Sequence, residues 1–282
     1  MTSQLKTFFL LALLSGLILF LGQALGGPSG LLVALAFALL MNLGSYWYSD
    51  KIVLRMYKAR ELSPSEAPFV HRLVEELAAK AGIPKPRICI VPDAAPNAFA
   101  TGRNPEHAVV AVTEGLVRLL DANELRGVLA HEISHIAHRD ILVQSVAGVL
   151  ASVVMFIANI LQWGALFGAG RGEGNRSGAA SALLLALLAP LAATLIQMAI
   201  SRSREFMADA SGAEISGRPA DLASALRKLT DYSKQIPLSE GNPATAHMFI
   251  VNPFSGKLGS LFSTHPPVDE RIRRLLEMSR SG

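Results

Sequence analysis

The stretch LAHEISHIAHRD, residues 129–140, places three of the chain's seven histidines and one glutamate within eight consecutive positions. His131, Glu132 and His135 form the pattern H-E-x-x-H. On an α-helix, residues four apart lie one turn above each other, so both imidazoles face one ion at about 2.0–2.1 Å, with Glu132 beside it. Such a motif binds Zn²⁺, lowers the pKa of water toward neutrality and supplies a general base. Chance placement of these three residues, with 14 glutamates in the chain, is about one in a hundred. The plain alternative is a polar helix face whose histidines are satisfied locally.

His138 lies on the same side of the helix as His131. A longer pattern, H-E-x-x-H-x-x-G-x-x-H, breaks the helix with a glycine and delivers a third histidine. Here those two positions hold His138 and Ile141, so that version of the site is excluded. His138 reads instead as a membrane-surface position one turn beyond the metal.

The flanks set the motif in a helix. Asp121 is a cap and Glu124 its capping-box partner, with the helix spanning Asp121 to Ala137. No Gly or Pro interrupts the chain from His131 until Gly148, so the helix is expected to run on into the apolar segment 141–168. That segment and a second one, 178–200, form an apolar pair joined by GAGRGEGNRSG. Two crossings return the chain to the side it left; a re-entrant or protein-buried hairpin satisfies the same connectivity. Arg171 and Arg176 in the turn weigh against full translocation.

The composition is 51% hydrophobic and only 17% charged, which points to a membrane. Residues 7–25 and 30–48 are uncharged, each roughly the twenty residues a spanning helix needs. Gly26-Gly27-Pro28-Ser29 breaks them into a helical hairpin, and Tyr46, Trp47 and Tyr48 mark an interfacial aromatic anchor. A cleavable signal peptide is the rival, given Lys6, the apolar run and the triplet Gly22-Gln23-Ala24; the second span that follows at once argues against it. Lys6 before the hairpin and Lys51, Arg55, Lys58 and Arg60 after it place both ends in the cytoplasm.

Between hairpin and motif, Ser63-Pro64-Ser65-Glu66 starts a helix that Gly82 and Pro84 stop. Three extended runs, 87–91, 97–102 and 107–113, are expected to form a small antiparallel sheet. Cys89, the one cysteine, excludes an intramolecular disulfide and reads as a buried structural thiol. The net charge of +4 is dispersed, with no nucleic-acid footprint. The fold class is therefore α+β, predominantly helical, with integral membrane helices. It divides into a hairpin (1–50), a first catalytic part (51–140), a second apolar hairpin (141–200) and a second catalytic part (201–282).

A third ligand must come from elsewhere. In SRSREFMAD, residues 201–209, Glu205 and Asp209 are four apart on a helix and face the same way. One carboxylate can bind zinc while the other accepts the free N–H of a ligand histidine. A solvated acidic pair among arginines is the alternative.

HEISH, then SRSREFMAD after an apolar hairpin, NAFATG upstream and STHPPVDER downstream resemble the HtpX-type membrane metalloproteases, relatives of the eukaryotic CAAX prenyl endopeptidase. The resemblance implies a zincin-like catalytic domain. In it His131, His135 and Glu205 bind one Zn²⁺ per chain, Glu132 is the base, and Asp209 supports the ligands from behind. It implies that Asn97 holds substrate backbone, so that Phe99–Gly102 pairs with an extended peptide by edge addition. His265 becomes a candidate donor to the oxyanion, and Arg271 a supporting residue at the substrate. From the residues alone, Asn97 is a turn residue and His265-Pro266-Pro267 a helix entry.

The implied function is a zinc-dependent endopeptidase in a bacterial cytoplasmic membrane, its site facing the cytoplasm. Its implied substrates are misfolded or damaged membrane proteins, with the lipid bilayer as its other partner. Two other classes remain: a non-catalytic zinc-fold scaffold, which has no need of Glu132, and a zinc hydrolase processing prenylated or other specific peptides. Oligomeric state is not legible.

Overall fold

The computed structural model describes residues 3–152, 154, 202–235, 249–251 and 266–281. Helix α1 (Ser3–Met56) is interrupted at Gly27, with φ 58° and ψ −146°. That conformation is open to glycine and closed to most other residues. A straight helix would hold residues 27 apart about 40 Å from each other, yet Asn42 Nδ2 donates to Ser15 Oγ at 2.8 Å. The two limbs therefore fold back as a hairpin. Phe8, Phe20, Leu32, Val33 and Leu40 on it are 69–71% exposed, and Gly26–Met56 is long and apolar enough to cross a bilayer.

The end of α1 docks on the sheet. Strands β1 (Arg60–Glu61), β2 (Arg87–Val91), β3 (Ala98–Thr101) and β4 (Val109–Thr113) lie in the order β1-β2-β4-β3. The sheet is mixed rather than antiparallel: β2 runs parallel to β4, from Arg87 opposite Val109 to Val91 opposite Thr113. Only β1–β2 and β3–β4 are antiparallel. Both faces are covered, which explains why Val109–Val112 of β4 are all apolar rather than alternating. Ile88, Ile90, Ala100, Val110 and Val112 join the helical core. Cys89, Val91, Phe99, Val109 and Ala111 pack with Val53 of α1 and Val149.

Ser63 and Glu66 bond reciprocally, Ser63 N to Glu66 Oε2 at 2.9 Å and Glu66 N to Ser63 Oγ at 3.3 Å. They close a turn rather than open a helix, and α2 (Pro68–Lys80) begins at Pro68. After β4 come α3 (Glu114–Leu119) and α4 (Ala122–Ala137). Asp121 and Glu124 form the capping box of α4. Glu124 also accepts from Ser224 Oγ at 2.8 Å and Lys228 Nζ at 2.7 Å, tying the start of α4 to a helix a hundred residues away. From Gly127 to Ile136 every residue of α4 is buried, as befits the central helix of a domain. Leu129, Ile133 and Ile136 are fully buried there, each worth about 1.5–3 kcal/mol.

The helix does not run on as its sequence suggested. Arg139 adopts φ 57°, Asp140 N returns to His135 O at 2.9 Å, and Gln144 N bonds Asp140 O at 3.1 Å. A new helix, α5 (Ile141–Ser152), starts from Asp140. Its Ser145 Oγ lies 2.7 Å from Thr101 Oγ1, and Ile141, Val146, Ala147 and Leu150 are fully buried. The rest of the expected second apolar hairpin, and the joining stretch, lie outside the described residues. Helices α6 (Arg202–Ser216), α7 (Pro219–Gln235) and α8 (Val268–Ser281) complete the domain; α4 packs on α6 and α7, and α8 on α7 and α6.

Candidate metal centre

Close contact between α4 and α6 builds the site. A Cβ at Gly212 would stand 2.9 Å from His131 N and 3.0 Å from its Cα, so the absence of a side chain there lets the two backbones touch. Glu205 and Asp209, two turns and one turn earlier on α6, are thereby brought beside the two histidines.

His131 Nε2 and His135 Nε2 are 3.2 Å apart. Glu205 Oε1 lies 3.5 Å from His135 Nε2, and Oε2 lies 3.8 Å from His131 Nε2. Ligands about 2.0–2.1 Å from a tetrahedral ion are separated by about 3.3–3.4 Å. These spacings, and the N₂O donor set, fit a zinc site with its fourth position open. His131, His135 and Glu205 are the three-residue group able to hold a metal among the described residues; His138 is not part of it.

Each histidine is backed by an aspartate on its other nitrogen. Asp209 Oδ1 is 3.0 Å from His131 Nδ1, displaced from the ring's N–H direction. Asp140 Oδ2 is 3.5 Å from His135 Nδ1, the long end of hydrogen-bond range. Both carboxylates are buried, and both meet an arginine: Asp209 takes Nε and Nη2 of Arg271 at 2.8 and 2.7 Å, and Asp140 pairs with Arg204. Asp140 and Arg204 were missed in the sequence. The signals were there, an aspartate five residues after His135 and an arginine beside Glu205, but nothing local joins them.

Burial shifts the charges in this pocket. It pushes the Glu132 carboxyl up to about 8, although Ala100 N–H donates to it and His135 lies near. It lowers His131, favouring the neutral imidazole a metal needs. Burial would raise Asp209 as well, but the charge and hydrogen bonds of Arg271, aided by His131, outweigh it and hold that carboxyl well below the usual range.

The strand beside Glu132, β3, ends the sheet among the described residues, and all four of its residues are buried. Thr113 N donates to Asn97 O at 2.9 Å, which makes 97/113 a bonded pair. With Ala98 opposite Val112 and Ala100 opposite Val110, alternation in the antiparallel ladder turns the N–H and C=O groups of Ala98 and Ala100 outward. Asn97 itself is buried, and its Oδ1 accepts from Ile250 N at 3.2 Å. Arg271 Nη1 donates to Ile250 O at 2.9 Å. Arg271 was expected at the substrate; it is wholly buried, its donors directed to Asp209 and Ile250. His265 lies outside the described residues.

Residues 64–279 match Peptidase family M48. The chain belongs to peptidase family M48. A "Protease HtpX homolog" from Syntrophobacter fumaroxidans is 56% identical to this M48 peptidase, across 99% of this chain and 100% of the relative. A second, from Pyrococcus furiosus, is 55% identical across 97% of this chain and 95% of its own. The crystal structure of S. mikatae Ste24p aligns with a TM-score of 0.51 at 18% identity, covering 96% of this chain. This M48 peptidase spans 65% of the length of that structure, and the likeness is one of fold. The chain is thus a membrane-anchored metalloprotease of the M48 family.

Proposed function

We propose that the metal is Zn²⁺, one per chain, held by His131, His135 and Glu205, and that the enzyme is an endopeptidase acting on unfolded or damaged membrane proteins at the cytoplasmic face. The observation that carries the reading is the convergence of three buried donor atoms within 4.8 Å of one another, beside a buried glutamate and the end strand of the sheet. Bound zinc supplies the Lewis acidity that polarises a carbonyl and acidifies water.

The protein's own residues do the rest. The outward groups of Ala98 and the C=O of Ala100 pair with an extended peptide and lay its scissile bond along α4, while Ala100 N–H holds Glu132. Glu132 takes the proton of the attacking water and hands it to the leaving amine. Burial alone favours its protonated form, and a cation bound beside it would favour the carboxylate that acts as base. Asp209 and Asp140 keep the histidines turned with Nε2 toward the metal. Arg271 holds Asp209 rather than touching substrate, and Asn97 holds the Ile250 segment beside the strand. His265 is retained as the candidate oxyanion donor. The cations following α1 support a cytoplasmic site.

The test is to purify the protein in detergent, measure zinc per chain and compare cleavage of an unfolded protein by wild type and Glu132→Gln. Retained zinc with lost cleavage is the expected result; equal cleavage by both would sink the assignment. Glu205→Gln is expected to weaken zinc retention far more than His138→Ala.

A further inference from the structure

A cleft of about 560 Å³ lies where α1 leaves the apolar region, and no part of the proteolytic site uses it. Trp47, Asp50 and Lys51 of α1 form one wall; Lys85, Arg87 and Arg103 of the catalytic domain form the other. The volume is within the range of about 300–1,000 Å³ typical of small-ligand sites. Trp47 and its neighbour Tyr48 are half exposed and close the uncharged run of the helix. Aromatic residues in that place sit at the headgroup level of a bilayer, so the cleft opens on the phosphate layer.

Four cations share the cleft with Asp50 and Glu106. Lys85 bonds Glu75 at 2.7 Å and Arg87 lies 3.9 Å from Asp50. Lys51 and Arg103 stand instead over ring faces, 5.1 Å from the centre of Tyr48 and 4.7 Å from that of Trp47. Arg103 is also held in place. His107 Nδ1 is 2.7 Å from Asn104 Oδ1, an atom that only accepts, so Nδ1 carries the proton and Nε2 accepts from Arg103 Nη2 at 2.7 Å. That bond engages one of the five guanidinium donors. His107 thus holds a half-buried arginine toward the cleft.

We propose that this cleft binds the phosphate of an anionic phospholipid headgroup, with Arg103 and Lys51 as its ligands. A planar guanidinium matches a phosphodiester bidentately, and a nearby ammonium adds charge without demanding geometry. Glu106 is an acceptor for the hydroxyls of a glycerol headgroup. The loop that carries Arg103 and His107 follows β3 directly, so an occupied cleft fastens the edge strand to the membrane surface at a fixed depth. The proposal rests on membrane anchoring by α1 and is independent of the zinc chemistry.

The test uses the full-length, zinc-loaded protein in neutral detergent, with Trp163→Phe so that Trp47 is the remaining tryptophan. Trp47 emission is followed while short-chain phosphatidylglycerol, phosphatidylcholine or inorganic phosphate is added. Phosphatidylglycerol is expected to saturate the signal at about tenfold lower concentration than either of the others. Lys51→Gln with Arg103→Gln removes that preference, at unchanged zinc content and thermal transition. Should the double variant not fold, Arg103→Lys, which keeps the charge but loses the planar fork, is expected to show a reduced preference. Equal affinity for the two lipids, or a wild-type preference in the variants, overturns the site; inorganic phosphate binding as tightly as phosphatidylglycerol overturns the lipid.

Discussion

Arg271 gives two parallel hydrogen bonds to Asp209, Nε to Oδ2 at 2.8 Å and Nη2 to Oδ1 at 2.7 Å, and the same Oδ1 stands 3.0 Å from Nδ1 of His131. The pair is buried and separated by 62 residues in sequence. Such a pair keeps the carboxylate ionised where burial alone would neutralise it. An ionised Asp209 beside Nδ1 favours a proton on that nitrogen, the tautomer that leaves Nε2 bare.

Removing that arginine should therefore damage both the fold and the metal site. Arg271→Met leaves a buried carboxylate unpaired, and a loss of about 3–5 kcal/mol in stability is expected, read from a denaturant midpoint. Zinc should also be stripped by a chelator at a lower concentration. Loss of cleavage with normal stability and zinc retention would instead return Arg271 to the substrate.

Asp140 is expected to serve His135 as Asp209 serves His131. Asp140→Asn keeps the shape and removes the charge that Arg204 meets; zinc affinity should fall by about 10–100-fold. Competition with a chromogenic chelator measures this directly, and an unchanged affinity would count against the role.

Gly212→Ala separates two opposing expectations. Helix propensity alone predicts stabilisation of about 1 kcal/mol, whereas the new Cβ would lie 2.9 Å from the backbone of His131. The clash should win, costing about 1–3 kcal/mol and loosening zinc by displacing Glu205. A more stable variant with normal zinc content would show that α6 can move without harm.

Burial raises the pKa of the Cys89 thiol, the chain's one cysteine, so it should resist alkylation at neutral pH until the protein is unfolded. That silence makes it a clean background for topology. A cysteine introduced at Gly174, in the stretch of sequence between the two later apolar segments, is expected to react with an impermeant reagent added from the periplasmic side. Labelling only after the membrane is opened would make that hairpin re-entrant or buried.

Much of the fold was legible because it is local. Twenty-residue apolar runs, the Asp121–Glu124 box and the spacing of His131, Glu132 and His135 each lie within one element and follow from helical or membrane periodicity. The break after Ala137 was not legible, because Arg139 takes a positive φ without being glycine; it is held there by Asp140 N reaching back to His135 O. The parallel pairing of β2 with β4 was likewise hidden, since strand periodicity records which faces are buried and is silent on direction.

The sequence by itself determined the H-E-x-x-H pattern and the apolar hairpin, because these depend on spacings of a few residues. Tertiary structure alone decided what stands behind that pattern: Asp140 with Arg204, Asp209 with Arg271, and Ile250 between Asn97 and Arg271. These contacts join residues distant in the chain, and the low-dielectric interior makes them compulsory. A charge buried there must find its partner in space, wherever in the sequence that partner lies.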